Sequence, residues 1–171
     1  MHDLVVPVYR IDEGQSRVVV FARSSIHDTD TVWDALSGTV TAEAADLAHA
    51  EVQLAVDMTR YDAGDFFKNR RLKKDLGVEK YPTARFRLAS LREVAEVEPG
   101  KFTARAEGTI EWRTRTVSIA ASGEGTLDGS ELRATARFDL DVRGFGVEPP
   151  RFLMFKVENV VAVEVTLVAR T

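Results

Sequence analysis

The 171-residue sequence contains no cysteine. That excludes disulfides and thiolate metal sites, and leaves the compartment open, because such a chain suits oxidising and reducing spaces equally. Histidine is scarce. His2, His27 and His49 are scattered without the short paired spacings of zinc or iron motifs, and His27 and His49 read as surface residues. No apolar run approaches the roughly 20 residues of a membrane span. The opening Met1-His2-Asp3-Leu4 has neither the basic nor the apolar segment of a signal peptide. The expected location is therefore cytoplasmic as written, or periplasmic or secreted if a leader has been removed. A formal charge of -4 and a pI near 5.5 argue against nucleic acid as a partner. The glycine-containing run 122–129 lacks the lysine and following helix of a phosphate loop, and reads as turn chemistry.

What is abundant is alternation. Ser16, Val18, Val20 and Ala22 share one face of a strand; Leu36, Gly38, Val40 and Ala42 share another. Residues 24–33 between them read as a polar loop. Ala50 to Met58 alternate in a third strand, and Ala84, Phe86 and Leu88 in a fourth. After a turn at Pro99-Gly100, a long strand carries Phe102, Ala104, Ala106, Gly108, Ile110 and Trp112 on one face. Val117, Ile119 and Ala121 follow. Asp128-Gly129 then marks a hairpin into Leu132, Ala134, Ala136, Phe138 and Leu140. The last strand points Val157, Val161, Val163, Val165 and Leu167 inward, with Asn159 the polar exception. About eight two-faced strands joined mostly by short turns make an antiparallel meander, within one domain spanning 1–171. Closure into a barrel hides its edges, and eight strands leave an interior that side chains fill or one small ligand occupies.

One segment breaks the alternation. In the helical insert, about 65–80, Asp65 is placed to cap a helix, Leu72 and Leu76 lie four apart on one face, and Gly77 offers a left-handed stop. Lys68, Arg70, Arg71, Lys73 and Lys74 crowd into it, and Tyr81-Pro82 ends it. The basic run reads as a solvated helix face, or as a surface that steers an anionic headgroup or a membrane. Phe66 and Phe67 read either as a mouth for an apolar tail or as an anchor to the barrel rim.

The inward faces hold many small residues: Ala22, Gly38, Ala84, Ala104, Ala106, Gly108, Ala121, Ala134 and Ala136. Interiors tolerate few voids, so either a ligand fills the space or Phe86, Phe102, Ile110, Trp112 and Phe138 do. The polar groups on the inward parity are Ser16, Ser24 and Asn159. They nominate no nucleophile, base and orienter, and the chain is read as a non-enzyme.

At the insert, D-F-F followed by Leu72-Lys73, and then 78–86 (VEKYPTARF), resembles the signature of the YceI family. Tyr9-Arg10-Ile11-Asp12, Leu36-Ser37-Gly38, Gly108-Thr109-Ile110 and the closing alternation fit the same family in the same order. The resemblance implies an all-β fold, an extended eight-stranded antiparallel lipocalin-like β-barrel with a short helical insert. It also implies a long amphiphile inside, a polyisoprenoid, quinone-like or fatty-acid-like lipid, and members that are frequently homodimers. The expected function is a non-catalytic carrier with no cofactor beyond such a lipid. Expected ligand contacts are Val20, Phe66, Phe67, Leu72, Leu76, Phe86, Phe102, Ile110, Trp112, Phe138 and Asn159. The alternative is a filled barrel serving as a protein-interaction or stress-related module, with the basic insert as its docking surface. A lipid-processing enzyme ranks behind both.

Overall fold

Period-two alternation makes extended structure the state in which one face of each segment is buried. The computed structural model accordingly consists mostly of strands; it describes residues 6–24, 28–148, 151–152, 155–156 and 158–171. His2, His27 and Val157 lie outside the described residues. In chain order the strands are β1 (Val8–Ile11), β2 (Arg17–Ala22), β3 (Thr29–Trp33), β4 (Leu36–Thr41), β5 (Glu51–Asp57) and β6 (Tyr61–Asp62). Helix α1 (Phe66–Leu76) follows, then β7 (Thr83–Glu98), β8 (Lys101–Trp112), β9 (Arg115–Leu127) and β10 (Glu131–Asp141). Beyond them come β11 (Arg151–Phe152) and β12 (Phe155–Lys156), a separate antiparallel pair, and β13 (Val160–Arg170).

The main sheet runs β1-β4-β5-β7-β8-β9-β10-β13 and returns to β1, all antiparallel, closing an eight-stranded barrel. Closure depends on two broken strands. β1 pairs with one end of β13 through Arg10 and Arg170, and β2 pairs with its middle through Arg17 and Thr166. A single 3-10 turn, Glu13–Gln15, separates them. Val168 pairs with Arg133 of β10 on one side. On the gap side no strand residue stands opposite it; its carbonyl accepts the Asp12 N–H, and the buried Ser16 hydroxyl takes the place of a partner. It donates to the Val168 carbonyl at 3.2 Å and accepts from the Val168 N–H at 3.0 Å. This is why a serine sits on the inward parity: it completes the ladder.

β3 and β4 form the neighbouring broken strand, β3 on β2 and β4 on β1. The expectation of a polar loop over 24–33 is corrected by β3. Its inward residues are Thr29, Thr31 and Trp33, and two threonines in three hide the alternation. At Gly38 in β4, φ is 137° and an added Cβ would stand 2.0 Å from the Gln53 carbonyl oxygen, so only glycine fits this approach of β4 to β5.

One end of the barrel is packed shut. Tyr9, Val40, Ala42, Phe102, Leu127 and Ala169 form a buried cluster there, with Ile11, Leu47, Ala50, Val52 and Leu132 against it. Arg170 clamps its outside by ion pairs to Asp12 and Glu131, and its hydrogen bond holds the Asp12 carboxyl below the usual carboxylate range. These pairs are exposed and stabilise only modestly.

At the other end, β8 turns into β9 through Arg113-Thr114, since Trp112 pairs directly with Arg115. Both turn residues have positive φ, 53° and 60°, the requirement of the tight hairpin turn that glycine and asparagine serve best. A β-branched Thr114 is strained there. Thr114→Gly is expected to stabilise the protein by about 1 kcal/mol, read as a higher Cm in urea. An unchanged or lower Cm would show that the threonine conformation is not strained.

Candidate ligand cavity and its mouth

Above the packed end the barrel is hollow. A cavity of about 1060 Å³ lies between the strands and reaches α1. It is at the upper end of the size range of small-molecule sites. Its wall is built by parity. Val18, Val20 and Ala22 of β2 face in beside Thr29, Thr31 and Trp33 of β3, and Val161, Val163, Val165 and Leu167 of β13 face in beside them. The small residues Ala22, Ala84, Ala106, Ala121 and Ala136 are part of this wall, and their missing volume makes the space. A completely filled barrel is not what these residues form.

In β7 the parity changes midway. Phe86 and Leu88 pair with Ile110 and Gly108, but a bulge between Leu88 and Ser90 lets Leu91 pair with Ala106 and also face in. Gly108 has no side chain because the Phe86 ring lies over it: an added Cβ would stand 2.6 Å from that ring.

The helical end is closed partly by side chains and partly by α1. Trp112, Phe145 and Val147 form a second buried cluster, joined by Leu76, Tyr81 and Leu140. The Trp112 indole N–H donates to the Tyr81 carbonyl at 2.9 Å, and its ring meets Phe145 edge-on at 5.5 Å. Phe145 ends a 3-10 turn, Val142–Phe145, that Asp141 caps and left-handed Gly146 stops.

Helix α1 spans the step from β6 to β7. Asp65 caps it by accepting the Lys68 N–H at 2.8 Å, and Gly77, φ 62°, stops it, both as expected from the sequence. Asn69 ties its first turns to β6: the Tyr61 hydroxyl donates to the Asn69 carbonyl, and the Ala63 N–H donates to Asn69 Oδ1, each at 2.6 Å. Arg113 holds the other end, donating from Nη1 to the Leu76 carbonyl at 2.5 Å and from Nε to the Phe145 carbonyl at 3.0 Å. Between these ties no α1 residue is fully buried. The helix is a cover pinned at both ends and packed lightly in the middle.

The exposed members of the lining mark the mouth: Asp65 at the helix cap, Phe67, Arg70, Arg71 and Lys74 of α1, Arg85 of β7, and Glu158 before β13. Arg71 pairs with Asp75 at 2.9 Å, and Lys73 with Glu79 at 2.8 Å. The hydrogen bond between the latter pair raises the Lys73 ammonium and lowers the Glu79 carboxyl from their ordinary ranges.

Of the residues expected to meet a ligand, Val20, Phe67, Leu72, Leu76, Phe86, Ile110, Trp112 and Phe138 line this cavity. Three fall elsewhere. Phe66 points to solvent and is 70% exposed. Phe102 belongs to the packed end, because β8 runs the length of the barrel and carries Phe102 and Trp112 at opposite ends. Asn159 precedes β13 and is not part of the wall; its carbonyl accepts from the Val142 N–H. Sequence reasoning missed Thr31, Trp33, Leu91, Phe145 and Val147 as lining residues. The short alternation at 29–33 was the available signal for the first two; no local pattern marks the others. Among the described residues, no cluster of three His, Asp or Glu side chains is placed to hold a metal, and no helix is long and apolar enough to cross a membrane.

The YceI-like domain model matches residues 9–169, nearly the whole chain. The chain belongs to the YceI family. The YceI barrel is also seen in solved structures of similar shape. BcnA of Burkholderia cenocepacia superposes with a TM-score of 0.76 at 18% identity, covering 92% of this chain and 98% of that one. A polyisoprenoid binding domain from Saccharophagus degradans, implicated in plant cell wall breakdown, gives 0.76 at 14% identity, covering 95% and 98%. The YCEI protein of Campylobacter jejuni gives 0.64 at 11% identity, covering 82% and 84%. At these identities the likeness shows the shared fold. No curated protein matches the sequence.

Proposed function

We propose that this YceI protein is a non-catalytic carrier that holds the apolar tail of a long-chain amphiphile, isoprenoid, quinone-like or fatty-acid-like, inside the barrel. The observation that carries the reading is the cavity of about 1060 Å³ with its aliphatic and aromatic wall. A buried methylene contributes about 0.8 kcal/mol, so ten of them give about 8 kcal/mol before the costs of association. Micromolar retention needs about 8 kcal/mol net of those costs, so a tail that buries more than ten methylenes supplies it without specific polar contacts. Among the described residues the neutral polar groups of the wall are Ser24, Thr29 and Thr31, all hydroxyls. The polyisoprenoid binding domain among the similar structures supports the same class of ligand.

Native mass spectrometry of the purified protein, with organic extraction of the same sample, tests this. A co-purifying lipid, or stoichiometric uptake of a fluorescent long-chain fatty acid, is the expected result. A protein that emerges empty and takes up no such probe is not a carrier.

A further inference from the structure

Helix α1 carries a surface that the interior cavity does not explain. Phe66 and Phe67 are 70% and 79% exposed, and their rings touch edge-on at 5.8 Å. The other exposed large hydrophobics among the described residues are all valines. At 100° per residue, Phe66, Arg70, Lys74, Phe67 and Arg71 fall in sequence around one side of the helix, and all five are exposed. Leu72 and Leu76 fall on the opposite side, half-buried toward the barrel. The exposed side is thus aromatic at its start and cationic along its length.

Charge points the same way. Among the described residues, no carboxylate lies within ion-pairing distance of Lys68, Arg70 or Lys74, whereas Arg71 and Lys73 are paired. The chain as a whole is acidic. Its packed end displays Glu93, Glu96 and Glu98, exposed along the far stretch of β7, where Glu96 pairs with Phe102. An anionic surface would attract the α1 end and repel the other, and so turn the molecule mouth-first. Aromatic rings flanked by cations suit the headgroup level of a bilayer, where the ring is half-desolvated and the cation meets phosphate.

We propose that the exposed side of α1 docks the cavity mouth onto an anionic lipid bilayer. Phe66 and Phe67 enter the interface and Arg70 and Lys74 contact lipid phosphates. An apolar tail then passes between bilayer and barrel with little exposure to water. The purpose of docking rests on the carrier reading, but the contact itself needs no ligand in the cavity.

The test is flotation of the full chain with two kinds of vesicle: phosphatidylcholine alone, and phosphatidylcholine with phosphatidylglycerol in equal parts. Retention on the mixed vesicles, weak on phosphatidylcholine and reversed by salt, is expected. Both Phe66→Ser/Phe67→Ser and Arg70→Glu/Lys74→Glu should weaken it at least ~10-fold. These side chains are exposed, and circular dichroism confirms folding of each variant. Absence of retention on the mixed vesicles overturns docking, as does retention by the variants equal to wild type. So does a dimer that dissociates on Phe66→Ser/Phe67→Ser, because the rings would then meet a second copy. A protein that emerges empty and takes up no fatty-acid probe, yet still floats with the mixed vesicles, removes the carrier reading and leaves docking standing. A lipid-loaded barrel that does not float does the reverse.

Discussion

Trp112→Ala is expected to lower stability by about 3–5 kcal/mol and to loosen the helical end of the barrel. The indole is buried, packs on Phe145, and spends its N–H on the Tyr81 carbonyl at the exit from the helical insert. Arg113 beside it holds the Leu76 carbonyl and lies over the Tyr81 ring at 5.0 Å. Removing the ring therefore strips packing from the group that fixes the end of α1. It also leaves the Tyr81 carbonyl without that donor. Because Trp112 lines the cavity near its covered end, the lost volume joins the cavity, and longer chains should bind relatively better. Urea unfolding and a series of fatty acids of increasing length read both effects. Trp112→Phe keeps one aromatic ring and loses the other together with its N–H, so it should recover part of the stability. A Trp112→Ala protein that unfolds within 1 kcal/mol of wild type, by the scale of buried aromatic truncations, would mean the cluster is not fastening this end.

Filling the cavity should act in the opposite sense on stability and strongly on binding. Ala106 and Ala136 both face the hollow, on β8 and β10. In a packed core, adding a ring at either site would cost about 1–3 kcal/mol through overpacking. Here each ring has empty space to enter and buries its own apolar surface, so Ala106→Phe/Ala136→Phe should melt at or above the wild-type temperature. The same rings occupy the path of a bound tail. Affinity for a fluorescent long-chain fatty acid should fall about 100-fold, or about 2.7 kcal/mol. Wild-type affinity in a folded variant would place the ligand elsewhere. A large fall in melting temperature would show instead that the interior closes around these alanines.

These expectations rest on features of unequal legibility. The barrel was readable because its strands alternate over many residues, and a closed antiparallel sheet is the economical way to bury one face of each. The ends of α1 were equally readable, since a cap depends on neighbours in sequence: Asp65 meets the Lys68 N–H and Gly77 takes the left-handed turn. The strand at 29–33 was hidden, and a loop was expected over 24–33, for a physical reason. Thr29 and Thr31 are polar by composition, yet a barrel wall accepts a threonine methyl, and pairing with β2 is a contact between segments.

The sequence by itself determined the inward parity and the helical interruption, because each follows from local periodicity or residue type. Only the tertiary structure decided how those inward residues are shared out. Phe102 and Trp112 have the same parity on one strand, but strand length places one in the packed end and the other beside the cavity. The bulge after Leu88 turns Leu91 inward against the parity of its own strand. Ser16 is spent on the break between β1 and β2, a role that exists only once β13 lies alongside. Whether alanines on facing strands leave a hollow depends on what stands opposite them, and that is fixed by closure of the barrel rather than by any one stretch of chain.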